Sequence, residues 1–306
     1  MFLSYTDYSE LYQRYLKTNG MTKRIKRILL LSFSAALLVF AGCKEKELSP
    51  IKGSLKCYVD ESLYNVIKAE RDTFVTLYPN SKIDLVTVKA REGIADVLNG
   101  EATLFISSRT LNAEEKSYFE RTKSDMRTFK FCYDAVVPIV SNSESKENLT
   151  MDDIKKILTG QTMGFQVFVP EPNSGVYEYL KTSVLGNKEP QKVSIVKSEE
   201  EVIQKVKSTR KSLGFVGLNT LENVEGIKVL EVGIMRSQTD ILYYKPYTAY
   251  LVSQTYPLVR TTSIFINEVG IGLASGFATF LTSFEGQKIV SKHNLGPATV
   301  PVKMVN

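Results

Sequence analysis

The stretch Leu104-Phe105-Ile106-Ser107-Ser108-Arg109 runs from three apolar residues straight into two hydroxyls and a guanidinium. The apolar triplet reads as the end of a short buried strand, which delivers Ser107, Ser108 and Arg109 into the loop that follows. Those side chains form a set suited to an oxyanion: two short donors, free backbone N–H groups, and a planar cation able to grip an anion through two parallel hydrogen bonds. Asn112 and Glu115, three apart, read as a capping pair for a helix starting near Ala113. A strand end, a polar turn and a helix start make the place where an open α/β sheet binds small ligands. Taken alone, Ser-Ser-Arg fits an ordinary solvated turn equally well.

The flanking sequence repeats this design. Residues 55–59 read as a strand, Asp60-Glu61-Ser62 as a polar turn, and the following residues to about Tyr78 as a helix ended by Pro79-Asn80. Residues 83–88 are the next predicted strand, 89–92 a charged turn and 93–99 a helix. Strand, polar turn and helix thus occur three times, which predicts βαβ units, a mostly parallel sheet and three turns at one sheet edge. Ser62, Arg91 and Ser107 to Arg109 are expected to converge there.

Beyond Arg127 the pattern changes. Residues 129–140 form one long β-rich run, a length that fits a strand leaving one domain for another, with Pro138 marking a bend or an edge. A second series follows: a helix ending at Leu158 and stopped by Gly160, a strand at 165–169, then Pro170-Glu171-Pro172-Asn173-Ser174-Gly175 leading into a helix at 176–184. A Ser-Gly pair at a helix start lets a ligand approach the backbone closely, although it also serves as a plain N-cap. A strand at 193–196, a helix at 199–207 and a strand at 213–216 complete this unit. Residues 241–252 carry the chain back, and 262–267, 273–280 and a last helix at 284–291 belong with the first unit. Thr282 and Glu285 are the expected capping pair of that last helix.

Near the front, Lys23, Arg24, Lys26 and Arg27 follow Met21, an uncharged apolar segment spans 28–40, and Ala41-Gly42-Cys43 follows. This is the order of an export signal. It resembles the lipobox of bacterial lipoproteins, with Phe40 where a Leu is commoner, and that resemblance makes Cys43 the acylated first residue of the mature chain. Translation is expected to start at Met21, since Asp7 and Glu10 interrupt the preceding stretch. An uncleaved anchor is the alternative, though an apolar segment of 13 residues is short for a bilayer of about 30 Å. Either arrangement puts the remainder outside the cytoplasm.

The formal charge of +6 is concentrated in this leader, because residues 1–42 carry six basic and two acidic side chains, leaving +2 for the rest. No basic stripe points to nucleic acid. Cys57 and Cys132 could pair in an oxidising compartment, but each lies in an apolar run that suits a buried free thiol. His293 is the single histidine, so neither a metal cluster nor a nucleophile–His arrangement is legible. No catalytic residue, cofactor or coiled-coil seam is read from the chain, which is expected to be a monomer and not an enzyme.

Several segments together resemble the phosphate-binding proteins of bacterial ABC importers, the PstS-like group of periplasmic binding proteins. The resemblance covers about residues 53–302. It rests on Ile106-Ser107-Ser108-Arg109-Thr110-Leu111, Asp134-Ala135-Val136-Val137-Pro138, the run 149–160, Asn173-Ser174-Gly175, Leu213-Gly214-Phe215-Val216-Gly217, Tyr256-Pro257-Leu258-Val259-Arg260 and Ser283-Phe284-Glu285-Gly286-Gln287-Lys288. It implies an α/β, two-lobed type II binding-protein fold, with mixed sheets flanked by helices and the ligand cleft between lobes. The implied division is a leader at 1–42, a tether at 43–52, a first lobe at 53–137 and 246–306, and a second lobe at 138–245. The implied partners are inorganic phosphate or a similar oxyanion and a membrane-embedded ABC permease.

Position by position, the family's first-loop hydroxyl falls on Ser62, and its second-loop serine on Arg91 or Ala90, a departure. Ser107 and Ser108 match the third loop, while Arg109 replaces an Asp that some members use to accept a proton from phosphate. In the second lobe Asn173, Ser174 and Gly175 match, but Pro170 and Val176 stand where the family carries Arg and Thr. The expected ligand contacts are therefore Ser62, Arg91, Ser107, Ser108, Arg109, Asn173, Ser174 and Gly175, with Arg109 supplying the displaced cation and Asp60 or Glu61 open as the replacement acid. The other expectation is a lipoprotein that keeps the fold for interaction or scaffolding and has lost tight phosphate binding.

Overall fold

The computed structural model describes residues 48–122, 125–161, 163–237 and 240–299, together with Glu10 and Arg14. The rest of the leader, Met21 and Cys43 included, lies outside the described residues. Among the described residues no helix is long and apolar enough to cross a membrane.

The chain opens with β1 (Gly53–Asp60), a 3-10 turn (Glu61–Leu63), α1 (Tyr64–Leu77), β2 (Ser81–Val88), α2 (Ala90–Leu98), β3 (Leu104–Ser107) and α3 (Ala113–Thr122). β1 pairs in parallel with both β2 and β3, so the three polar turns leave the sheet at one edge, as the sequence predicts. One boundary differs. The charged run expected as a turn is helical from Ala90, because Lys89 takes an extended N-cap conformation and Arg91 falls in the first helical turn.

Strand alternation explains why helices cover both faces. Leu55, Cys57, Val59, Leu104 and Ile106 point into one core with Leu63, Val66, Ile67 and Phe74. Phe105, between Leu104 and Ile106, points the other way into a smaller core with Ile94 and Val97. Cys57 and Cys132 are buried free thiols.

β4 (Arg127–Ser141) is the long run read as a crossing strand. Its first half pairs with the later strand at 259–266, and its second half with strands of the other lobe. Pro138 sits in the gap between those two flanking partners on one side, where its missing N–H leaves no ladder bond unmade. The second lobe continues with β5 (Asn148–Thr150), α4 (Met151–Leu158), β6 (Gln166–Pro170), α5 (Gly175–Tyr179) running into a π-helical turn (Leu180–Val184), β7 (Ser194–Val196), α6 (Glu199–Ser208) and β8 (Ser212–Gly217). A 3-10 turn (Leu218–Leu221), β9 (Ile227–Val229), β10 (Glu231–Met235), β11 (Ile241–Tyr244) and α7 (Thr248–Val252) follow. The core of this lobe is separate, built from Val136, Ile139, Ile154, Val202, Phe215 and their neighbours, and it extends to Tyr256 and Leu258.

The chain returns to the first lobe through β12 (Val259–Ile266), α8 (Leu273–Thr282), α9 (Phe284–Lys292) and β13 (Gly296–Pro297). β12 lies antiparallel between β3 and β4. The main path of the large sheet is β2-β1-β3-β12-β4-β8-β6-β7, with β9 and β13 also paired to β4, so one mixed sheet is carried across both lobes by β4, and β11-β10-β5 form a separate three-stranded sheet. The cap of α9 is Ser283, not the expected Thr282: Ser283 has extended backbone and its Oγ accepts from Gly286 N, whereas Thr282 ends α8 and its hydroxyl donates to Ala278 O.

Candidate functional site

The three turns of the first lobe meet the start of α5 and the end of β8 where the two cores adjoin. Asp60, at the end of β1, is fully buried; its Oδ1 accepts from Ser62 N at 3.0 Å and its Oδ2 from Ser108 Oγ at 2.9 Å. Ser107 Oγ turns back to accept from Arg109 N, which shapes the loop after β3. Opposite, Ser174 caps α5, its Oγ accepting from Tyr177 N at 3.1 Å. Gly175 is pressed against Ser108 and Asp60, and any side chain there would strike the Ser108 hydroxyl. That contact, rather than a special φ, is why a glycine is needed.

Ser62, Ser108, Ser174 and Gly175 are therefore brought together and buried, and Ser107 is buried beside them in chain, its Oγ turned to its own loop. Asn173 is at the rim, its carbonyl accepting from Arg91 N at 3.1 Å across the lobe boundary. The Arg91 side chain is exposed and lines a separate groove with Asn99 and Tyr118. Arg109 is buried but committed: its guanidinium makes two 2.7 Å bonds to the Glu115 carboxylate and a third to Thr110 O. The expected capping pair is present, with Asn112 and Glu115 exchanging side chain to backbone bonds. Glu115 thus both caps α3 and neutralises Arg109.

A different arginine reaches the cluster. Arg260, on β12, has its Nε and Nη2 on Asp134 Oδ2 at 3.0 and 2.6 Å, and it is 4% exposed. Its Nη2 lies 2.6 Å from where a Gly217 side chain would begin, with Ser62 also in contact there. Its Nη1 and the Nε of Arg109 are buried without a hydrogen-bond partner. A cavity of about 470 Å³ adjoins the cluster, lined in part by Arg109, Arg260, Thr110, Tyr179, Thr182 and Thr261.

The remaining carboxylate is Glu199, first residue of α6 and 1% exposed. Its Oε1 accepts from Ser62 Oγ of the other lobe, and its Oε2 accepts from Gly217 N and Thr220 Oγ1, both at 2.7 Å. Burial works against the Arg260 charge, yet Asp134, Glu199 and Asp60 outweigh it and hold the guanidinium's pKa above its ordinary value. Burial pushes the Asp60 carboxyl up, with Arg260 opposing and Glu199 adding to the rise.

The lobes are also joined around the rim. Lys89 bridges Glu61 at 2.8 Å in its own lobe to Lys197 O at 2.7 Å and Glu171 at 3.4 Å in the other. Val66 N donates to Asn219 Oδ1 at 3.1 Å.

Residue-by-residue reading missed Arg260, Asp134 and Glu199. Arg260 and Asp134 are 126 positions apart, and the available signal was a charge inside each of two apolar runs. Glu199 reads as one of three acids opening a helix.

Comparison with known proteins gives a consistent match. A family model described as the PBP superfamily domain matches residues 45–285. The phosphate-binding protein PstS of Borreliella burgdorferi is 25% identical over 293 residues, covering 88% of this chain and 97% of that protein. Among solved structures, a Clostridium perfringens protein assigned to phosphate ABC transport as a substrate-binding protein, solved with bound phosphate, superposes with a TM-score of 0.69 at 20% identity, covering 81% of this chain and all of that one. An ABC-type phosphate transport receptor from Vibrio cholerae gives a TM-score of 0.60 at 17% identity, covering 79% and 99% of the two chains.

Proposed function

Because the chain belongs to the PBP (periplasmic-binding-protein) superfamily, we propose that it is an extracytoplasmic solute-binding protein for phosphate or a closely related oxyanion, delivering it to an ABC permease. One observation carries the reading. Hydroxyls of both lobes, the Gly175 backbone and a buried guanidinium with an unpartnered N–H converge on one spot between two cores. In such a dry place charge-assisted hydrogen bonds to an anion are strongest.

The proposed contacts are Ser62, Ser107 and Ser108 from the first lobe and Asn173, Ser174 and Gly175 from the second. Arg260 supplies the cation in place of Arg109: both are ion-paired, but Arg260 lies against Gly217 and Ser62 with its Nη1 unpartnered, whereas both Nη atoms of Arg109 are spent on Glu115, and Arg91 and Arg109 stand at the approach. Asp60 is the replacement acid. A carboxylate there accepts a hydrogen bond from protonated phosphate but faces fully ionised sulfate with like charge. Binding and release through lobe closure need no covalent step.

The export signal and Cys43 support lipid anchoring outside the cytoplasm. Radiolabelled palmitate should mark the wild-type chain in a bacterial host and leave Cys43→Ser unmarked; equal labelling of both would remove the anchor from the proposal.

A second reading has one observation in its favour. The hydroxyl protons of Ser62 and Ser108 are already given to Glu199 and Asp60, as suits a scaffold of this fold that has given up tight binding. Calorimetric titration of the dialysed protein separates the two. Phosphate binding at micromolar concentration or tighter, with little response to sulfate, is the expected result, and no heat or thermal stabilisation with either anion supports the scaffold.

A further inference from the structure

A serine hydroxyl has one proton to donate. At Ser62 that proton goes to Glu199 Oε1, while the Ser62 backbone N–H goes to Asp60 Oδ1. The residue best placed to greet an oxyanion from the first lobe is thus gripped by two internal carboxylates.

Glu199 is more than a local cap. Gly217 N and Thr220 Oγ1 both bond to its Oε2, which anchors the side chain within its own lobe. Oε1 is turned the other way, onto Ser62, 137 positions distant and in the opposite lobe. The carboxylate is buried beside Arg260, whose charge it shares with Asp134 and Asp60. A negatively charged group accepting from hydroxyls and a backbone N–H, close to a guanidinium, is held just as a bound oxyanion would be. Gly175 against Ser108 and Gly217 against Ser62 and Arg260 leave the lobes in direct contact around it.

We propose that Glu199 is a tethered competitor of the ligand: its carboxylate latches the lobes together through Ser62 and must give up that hydroxyl before an oxyanion takes it. This deepens the oxyanion reading and rests on it for the identity of the competing ligand. The latch sets a threshold, because the self-closed form is a state that does not bind. Apparent affinity is then the intrinsic affinity reduced by the latched fraction.

The test uses the full chain as wild type, Glu199→Ala and Ser62→Ala. Alanine leaves nothing on α6 to bond Ser62, whereas an amide could still donate to the Ser62 oxygen. Small-angle scattering in phosphate-free buffer should show a larger radius of gyration for both variants than for wild type, as the lobes part. Calorimetry should show phosphate binding at least fivefold tighter in Glu199→Ala, with the gain abolished when Ser62→Ala is added. Unchanged scattering in both folded variants would overturn the latch, whether or not phosphate binds. Opening without tighter binding would overturn the competition. Absence of phosphate binding in wild type and variants alike would instead defeat the oxyanion reading, leaving the scattering result to decide the latch.

Discussion

The loop after β3 and the crossing of β4 with β12 each bury an arginine against a carboxylate, and they do so at opposite scales of sequence. In the loop, Arg109 meets Glu115 six residues away; at the crossing, Arg260 meets Asp134 from 126 residues away. The local pair is satisfied within its own turn, its carboxylate also capping α3. The distant pair sits where the two cores adjoin, touches the glycine and serine of the cleft, and leaves the two N–H groups of Nη1 unspent, where Arg109 leaves its single Nε–H. Both cations are ion-paired, but the one legible in sequence is held inside its own turn, and the one that reaches the cleft arrives only through tertiary pairing.

The largest effect should come from the crossing. Arg260→Met leaves Asp134 buried and unpaired, so stability should fall by about 3 kcal/mol or more in denaturant titrations, and phosphate binding should vanish. Adding Asp134→Leu should restore most of the stability and none of the binding, which separates the structural pair from the ligand contact. Recovery of binding in that double variant would return the cation role to another residue.

A buried carboxyl outside both pairs sharpens the contrast because it has no hydrogen-bond partner. Glu70, on the core face of α1, is pushed up to about 9 by burial, and neither carboxylate oxygen makes a hydrogen bond. Its native form therefore holds a proton that the unfolded chain releases near 4.5. The sign follows from linkage: its contribution is fully present below about pH 4.5 and is lost as pH rises towards about 9. Glu70→Met should melt several degrees above wild type at pH 8.5 and close to it at pH 5. A gap independent of pH would mean that Glu70 is not titrating in the fold.

Smaller losses are expected in the loop. Arg109→Met should cost about 1–2 kcal/mol of stability through its charge-assisted bonds and change phosphate affinity less than threefold. Asn112→Ala, which removes the cap of α3, should cost about 1 kcal/mol with affinity untouched. A tenfold loss of affinity in either would dissolve the distinction between the two regions.

Periodicity and turn chemistry made the βα units, the crossing strand and the loop hydroxyls readable, because each depends on neighbours within a few residues. Ser62, Ser108 and Gly175 could be named for that reason. What the chain hid was pairing. Nothing near Arg109 in sequence announces that Glu115 claims its guanidinium as well as capping a helix, and no local pattern joins Arg260 to Asp134 or Glu199 to Ser62. The start of α2 was displaced for a related reason, since Lys89 is both an N-cap and the bridge to Glu61 and Glu171.

The most direct measurement is a parallel calorimetric titration of phosphate into wild type, Arg109→Met and the Arg260→Met/Asp134→Leu pair. Binding through the crossing predicts heat in the first two, with affinities within threefold of each other, and none in the third. Loss of binding in Arg109→Met with retention in the crossing variant would contradict it and return the anion to the loop.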